Sequence, residues 1–123
     1  MTKIIDIKLN NNDEMFIKQN IESKYKNNEL LFKYDNESIK ISINKDNIIM
    51  QKENNESLLT FNFIENKKTD CKYFIKELNF YIDTKVLTNK LLIEENKIYI
   101  EYELWLQDEY SGKFIYEINI KEM

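Results

Sequence analysis

The chain of 123 residues has no His, no Pro, one Gly and one Cys. It also has no Arg and no Ala, so all 18 of its cations are Lys. Each absence removes a class of chemistry. Without His there is no Ser/His/Asp triad, no Cys/His pair and no imidazole ligand for a metal. Without Arg there is no planar fork for bidentate capture of a phosphate or carboxylate. A lone cysteine, Cys71, cannot close an internal disulfide. No apolar run approaches the roughly 20 residues of a membrane-spanning helix. The start, Met1-Thr2-Lys3-Ile4-Ile5-Asp6, lacks the apolar stretch of a secretory signal. Together these features predict a cytoplasmic protein with no membrane association.

What is present describes a globular domain. Hydrophobic residues make up 42% and charged residues 33%. The length suits a single domain over residues 1–123 with one core. The 22 Asp and Glu outweigh the 18 Lys, giving a net charge of -4. Both signs are mixed along the chain and form no basic stripe, which argues against nucleic acid as a partner. Asn, Ile and Lys are abundant where Ala, Arg, Pro and Gly are scarce. Those two sets divide by AT-rich and GC-rich codons. The bias is therefore read as genomic, and Lys or Asn abundance does not mark a site.

The apolar period is 2 almost throughout, the signature of strands. Ile5, Ile7 and Leu9 alternate with Asp6 and Lys8. Met15, Ile17, Ile21 and Tyr25 fall on one face, with Gln19 and Ser23 sharing it and Lys18, Asn20, Glu22 and Lys24 opposite. Leu30, Phe32 and Tyr34 follow, then Ile39, Ile41 and Ile43. Ile48-Ile49-Met50 is apolar with no clear face. Further faces are Leu59, Phe61 and Phe63; Cys71, Tyr73 and Ile75; and Leu78, Phe80, Ile82, Thr84 and Val86. The cleanest is Ile98, Ile100, Tyr102, Leu104 and Leu106, and Phe114, Tyr116, Ile118 and Ile120 complete the series. A helical period can be forced on Glu77 to Leu92, but Thr84, Val86 and Thr88 are poor helix formers.

Polar breaks separate these segments: Asn10 to Asp13, Lys26 to Glu29, Asp35 to Glu37, Lys45 to Asn47, Asn54-Asn55, Asn66 to Lys68, Glu94 to Asn96 and Asp108 to Gly112. Asn and Asp accept the left-handed turn conformation better than other non-glycine residues. Strands following one another at this spacing predict an all-β fold, an antiparallel up-and-down β-barrel of about 8 to 10 strands. Each strand then turns an apolar face inward and a polar face out. Closure removes the exposed edges that a flat sheet would carry.

The order of these strands and turns resembles the YwiB-like family, bacterial domains of unknown function. The resemblance runs from Asp13 to Lys121. It rests on Glu22-Ser23-Lys24-Tyr25, Leu31-Phe32-Lys33-Tyr34-Asp35 and Ile48-Ile49-Met50-Gln51-Lys52. It continues through Leu59 to Phe63, Lys72-Tyr73, Ile82-Asp83-Thr84-Lys85 and Ile98 to Leu104. The chain departs from the family at Ser23 and Asn54, where Gly is usual, at Lys52, where Arg is usual, and in a shortened Tyr73 to Leu78 hairpin. The resemblance implies a calycin-type, lipocalin-like barrel and carries no established activity.

Candidate chemistry is sparse. Cys71 lacks an evident base and alternates with Tyr73 and Ile75, which reads as a small buried residue. The carboxylate pairs Glu94-Glu95, Glu101/Glu103 and Asp108-Glu109 read as solvated faces and turns, since they offer neither a facing pair across a cleft nor spaced oxygen ligands. Neither catalytic residues nor a metal or other cofactor is expected. The inward polar exceptions are more informative. A ligand-binding barrel presents an apolar pocket with a few polar groups. Tyr34, Lys52, Tyr73, Thr84 and Tyr102 are the expected lining for a small, largely apolar ligand, with Lys52 as the polar anchor. The competing reading satisfies the inward polar groups, Thr84, Gln19 and Ser23, with backbone carbonyls or buried water and fills the interior with Ile, Leu, Phe and Tyr. Outward on neighbouring strands lie Phe74, Tyr81, Tyr99 and Trp105, the expected interface of a homodimer or interaction module. A non-enzymatic ligand-binding barrel is thus the leading expectation, and an interaction module is the alternative.

Overall fold

Alternation of apolar and polar side chains builds ten strands in the computed structural model, which describes residues 1–12 and 14–121. They are β1 (Thr2–Asn11), β2 (Glu14–Lys26), β3 (Glu29–Tyr34), β4 (Glu37–Ile43) and β5 (Ile48–Glu53). Then follow β6 (Ser57–Phe63), β7 (Lys68–Ile75), β8 (Phe80–Glu94), β9 (Lys97–Leu106) and β10 (Glu109–Lys121). Each strand pairs antiparallel with its neighbours in sequence, and β1 pairs with β10 to close the ring. The fold is an all-antiparallel, ten-stranded, closed barrel with no helix among the described residues. No helix is therefore long and apolar enough to cross a membrane.

The core is the inner face of this ring. Ile5, Ile7, Leu30, Ile41, Ile48, Phe63, Val86, Ile100 and Ile118 are fully buried. Burying such a side chain contributes roughly 1.5–3 kcal/mol relative to leaving it exposed. Ile48 and Met50 both face in, which resolves the segment whose face the sequence left open. At mid-barrel, rings fill the lumen. Phe61 lies 5.1 Å from Phe63, and Tyr102 lies 5.0 Å from Phe63 and 5.3 Å from Phe114.

The turns do without glycine. Asn27-Asn28, Asp35-Asn36 and Gln107-Asp108 each place two consecutive residues at positive φ. Two positive φ values in a two-residue hairpin loop define the type I′ turn, whose twist matches that of the strands. Asn12 also has positive φ, while Asp13, counted in the same break by sequence, lies outside the described residues.

Three bulges change which face a residue takes. In β2, Gln19 and Asn20 together oppose Asp6, between the pairs Ile5↔Ile21 and Ile7↔Lys18. Asn20 adopts φ 59°, and its N–H donates to the Asp6 carboxylate at 2.9 Å. The Lys121 ammonium donates to Asn20 Oδ1 at 3.0 Å and pairs with Asp6 at 2.9 Å. An extra residue inverts the side-chain alternation beyond it. The single-face reading of β2 is therefore corrected. Phe16 and Lys18 face in, Gln19 is exposed, and Met15 and Ile17 point outward, 57% and 52% exposed. In β8 the extra residue is Asn89, beside the place where Glu65 bridges Thr88. In β10 it is Ser111, followed by Gly112 at φ 135°. Gly112 faces inward, where an added Cβ would stand 3.4 Å from Asn11 Oδ1.

Candidate functional site

The alternate turns of the meander divide the barrel into two ends. At one end the β3–β4 turn carries Tyr34 and Glu37, opposite each other across Asp35-Asn36. Directly opposed residues share a face, so Glu37 turns inward beside Tyr34. Next along the wall, Lys52, Leu59, Tyr73 and Ile82 lie opposite one another in sequence across β5 to β8. Thr84 opposes Cys71 and Leu106, and Tyr102 opposes Thr88 and Phe114. The five residues expected as ligand lining thus share the inner face, with Thr84 and Tyr102 buried and Tyr34, Lys52 and Tyr73 half-buried.

Their polar groups are not equally free. Thr84 Oγ1 donates to the Ile82 carbonyl at 3.1 Å, and Ser23 Oγ donates to the Lys3 carbonyl at 2.9 Å. Both are satisfied by backbone carbonyls. Among the described residues, no carboxylate lies in ion-pair range of the Lys52 ammonium.

The unmet polar atoms belong mostly to residues not singled out by sequence. Glu37 Oε2, Tyr116 Oη, Asn11 Oδ1 and Thr88 Oγ1 are buried without a hydrogen-bond partner. Asn11 opposes Phe114, two residues before Tyr116 on β10. Burial pushes the Tyr116 phenol well above its ordinary range, and Tyr34, Tyr102 and Glu37 act on it in the same direction. Burial likewise raises Tyr34 to about 12, helped by Glu37 and Asp35. Tyr102 is raised by burial and by nearby Cys71 and Tyr34. These tyrosines are neutral hydroxyls at neutral pH, and Tyr34 and Tyr116 lie near the one inward carboxylate, Glu37. Phe16 and Phe32 flank Tyr34 at ring separations of 5.8 and 6.2 Å. Tyr116 was visible in the sequence as an inward residue. Glu37 was hidden in a turn, and reading Asp35-Asn36 as a two-residue loop would have placed it opposite Tyr34.

Three concavities surround this framework. One of about 410 Å³ opens over Tyr34 and Glu37, rimmed by Lys33, Asp35, Asn36, Ser38 and Asn55. A second of about 420 Å³ forms the opposite mouth, lined by Tyr25, Ile43, Ile98 and Ile120 with Lys3, Glu94 and Glu95 at its rim. The largest of the three, about 560 Å³, lies on the outer wall across β2 to β6, among Leu31, Lys40, Gln51 and Leu58. None of the residues with unmet polar atoms lines it, whereas Glu37 lines the Tyr34 end, which makes that end the better chemical candidate despite its smaller volume.

The outward aromatics fall in separate places. Phe74 and Tyr81 oppose each other with rings 4.9 Å apart. Trp105 is edged by Tyr110 at 5.4 Å and covered by the Lys68 ammonium at 4.0 Å. Tyr99 lies six residues before Trp105 on β9, with Glu101 and Glu103 between them on that face, and has the Lys90 and Lys97 ammonium groups at 5.6 and 5.8 Å.

No curated protein matches the chain. Among solved structures, the fold is similar to the crystal structure of the ywiB protein from Bacillus subtilis, with a TM-score of 0.62 at 10% identity. That likeness covers 99% of this chain and 90% of the other. The family described as a domain of unknown function, DUF1934, matches residues 3–118, and the chain belongs to this family of YwiB-like β-barrel domains.

Proposed function

We propose that the barrel is a non-enzymatic binding protein that holds a small, largely apolar molecule at its Tyr34 end. The observation that carries this reading is the set of buried acceptors without partners, Glu37 Oε2, Tyr116 Oη and Asn11 Oδ1, beside aromatic rings. Leaving a polar group buried and unpaired costs about 1–3 kcal/mol, so a site that keeps several is suited to a ligand that supplies hydrogen-bond donors. The ligand chemistry that fits is an apolar body with a donor-bearing end, such as an amine or amide. Tyr34, Tyr73 and Tyr102 supply aromatic wall, Glu37 and Tyr116 receive the donors, and Lys52 stands at the side as an anchor for any acceptor. Thr84 contributes shape, because its hydroxyl is already engaged. Catalysis is not part of this reading. The one thiol, Cys71, is raised to about 12 by burial, so it is not a thiolate nucleophile at neutral pH. A cytoplasmic placement without nucleic acid or membrane partners belongs to the same proposal, and the net charge of -4 supports its nucleic-acid part.

Native mass spectrometry of freshly purified protein tests it. The expected spectrum shows a bound small molecule whose occupancy falls at least tenfold in Glu37→Gln and Tyr116→Phe. A wild-type protein without bound mass that also ignores a panel of apolar amines and amides would sink the reading.

The alternative is an interaction module on the outer aromatics. It is favoured by Tyr81, 64% exposed against Phe74. If it holds, Tyr81→Ser and Trp105→Ser weaken self-association in sedimentation, with no change in bound small molecules.

A further inference from the structure

The ring is closed unevenly at β2. On its β1 side this strand is paired from Glu14 to Lys24, interrupted only by the bulge. On its β3 side it pairs only over Ser23–Lys26. Among the described residues, no strand meets that edge from Glu14 to Glu22. The cause is length. β3 has six residues and turns back at Asp35-Asn36, so it cannot follow a 13-residue strand. Side chains bridge the gap instead, with Phe16 against Tyr34 at 5.8 Å and Lys18 paired to Asp35 at 3.0 Å. A strand edge left with unpaired backbone is a template for another strand. Here it also carries Met15 and Ile17 outward into solvent.

We infer that this edge of β2 pairs antiparallel with the same edge of a second copy of the chain. The segment Glu14-Met15-Phe16-Ile17-Lys18 complements itself. A two-fold axis normal to the sheet at Phe16 places Phe16 opposite its counterpart. Glu14 then falls opposite Lys18 of the second copy, and Lys18 opposite its Glu14. Met15 falls opposite Ile17 on the outer face, twice. Opposed residues share a face, so the two charge pairs lie on the barrel side and the apolar quartet on the solvent side. Neighbouring symmetric registers lose both features. Centring on Ile17 sets Phe16 against Lys18, and centring on Met15 sets Glu14 against Phe16. Pairing joins two barrels through a continuous sheet, with an isologous interface that closes at two copies. The surface is distinct from the outer aromatics on β7 to β9.

Sedimentation equilibrium of the full chain and of charge variants tests the inference. Wild type is expected to dimerise. Glu14→Lys sets Lys against Lys18 twice and is expected to weaken the dimer about tenfold or more. Lys18→Glu does the same by setting Glu against Glu14. The double variant E14K/K18E rebuilds opposite pairs and is expected to recover most of the affinity. A wild type that stays monomeric at millimolar concentration overturns the inference, as does a dimer indifferent to Glu14→Lys. Amide exchange on wild type gives a second readout that needs no substitution. Protection over Glu14–Glu22 that grows with protein concentration supports the pairing. A dimeric sample whose exchange in that segment is independent of concentration overturns it.

Discussion

Cys71 and Tyr116 show how the inner wall separates stability from function. Cys71 is buried in the inner wall, and burial pushes its thiol up from the ordinary 9.0 to about 12. A thiol-specific reagent at neutral pH is expected to leave the folded protein unlabelled and to modify one site per chain in denaturant. Rapid labelling of the native state would show that the thiol is reachable and ionised. Tyr116 has the opposite character. Its ring packs in the core but its hydroxyl has no partner. Tyr116→Phe removes only the unpaired group, so the ligand-free protein is expected to gain up to about 1–3 kcal/mol in denaturant unfolding while losing ligand occupancy. A destabilised variant would mean that the hydroxyl does find a partner. Phase alone made the tyrosines legible in the sequence. It could not say which hydroxyls were satisfied, because Thr84 and Ser23 reach carbonyls that only the folded backbone positions.

Among the elements, β9 and β2 mark the limits of a periodic reading. The alternation Ile98 to Leu106 places every inward residue of β9 correctly, because both its neighbours hold register over that face up to the bulges in the partner strands. The same rule misplaces the first half of β2, since one bulge exchanges the faces of every residue beyond it. No residue type announces that bulge. Its signal is a three-way arrangement of Asp6, Asn20 and Lys121 that joins the chain's two ends. In the fold, the Asn20 N–H and then the Lys121 ammonium hold the Asp6 carboxyl below its ordinary range. The turns were easier to read, since Asn and Asp mark them. Asn36, at φ 67°, is a direct test. Asn36→Gly is expected to stabilise the hairpin slightly, and Asn36→Val to cost about 1–2 kcal/mol, the penalty of a left-handed conformation for a branched side chain. Equal unfolding midpoints for the two would argue against the type I′ turn.

For the whole molecule, the buried acids set its tolerance of alkali. Cys71 ordinarily titrates near 9.0 and Tyr34 near 10.0, and both are raised to about 12 in the fold. Tyr102 and Tyr116 are raised as well. The unfolded chain therefore sheds these protons first, while the folded chain retains them. Stability is complete below the unfolded values and is lost as pH rises through the folded ones. Denaturant midpoints are expected to be flat up to about pH 9 and to fall steeply by about pH 11. A midpoint that rises over that range would reverse the assignment. The barrel itself was legible from strand order, because a chain of adjacent hairpins has few ways to bury one face of every strand except by closing. The same strand order governs how the molecule assembles. Among the described residues, nine of the ten strand pairings join neighbours through short turns, and the tenth, β1 with β10, joins strands far apart in sequence. Hairpins of this kind form on the order of microseconds, whereas the last pairing must gather nearly the whole chain before it repays the lost entropy. The β1–β10 seam, from Ile4↔Lys121 to Asn11↔Phe114, is thus expected to be the slow step, so substitutions along it should slow refolding more than substitutions in the hairpins. A chain in which that seam has not yet zipped would offer both terminal strands to any passing chain.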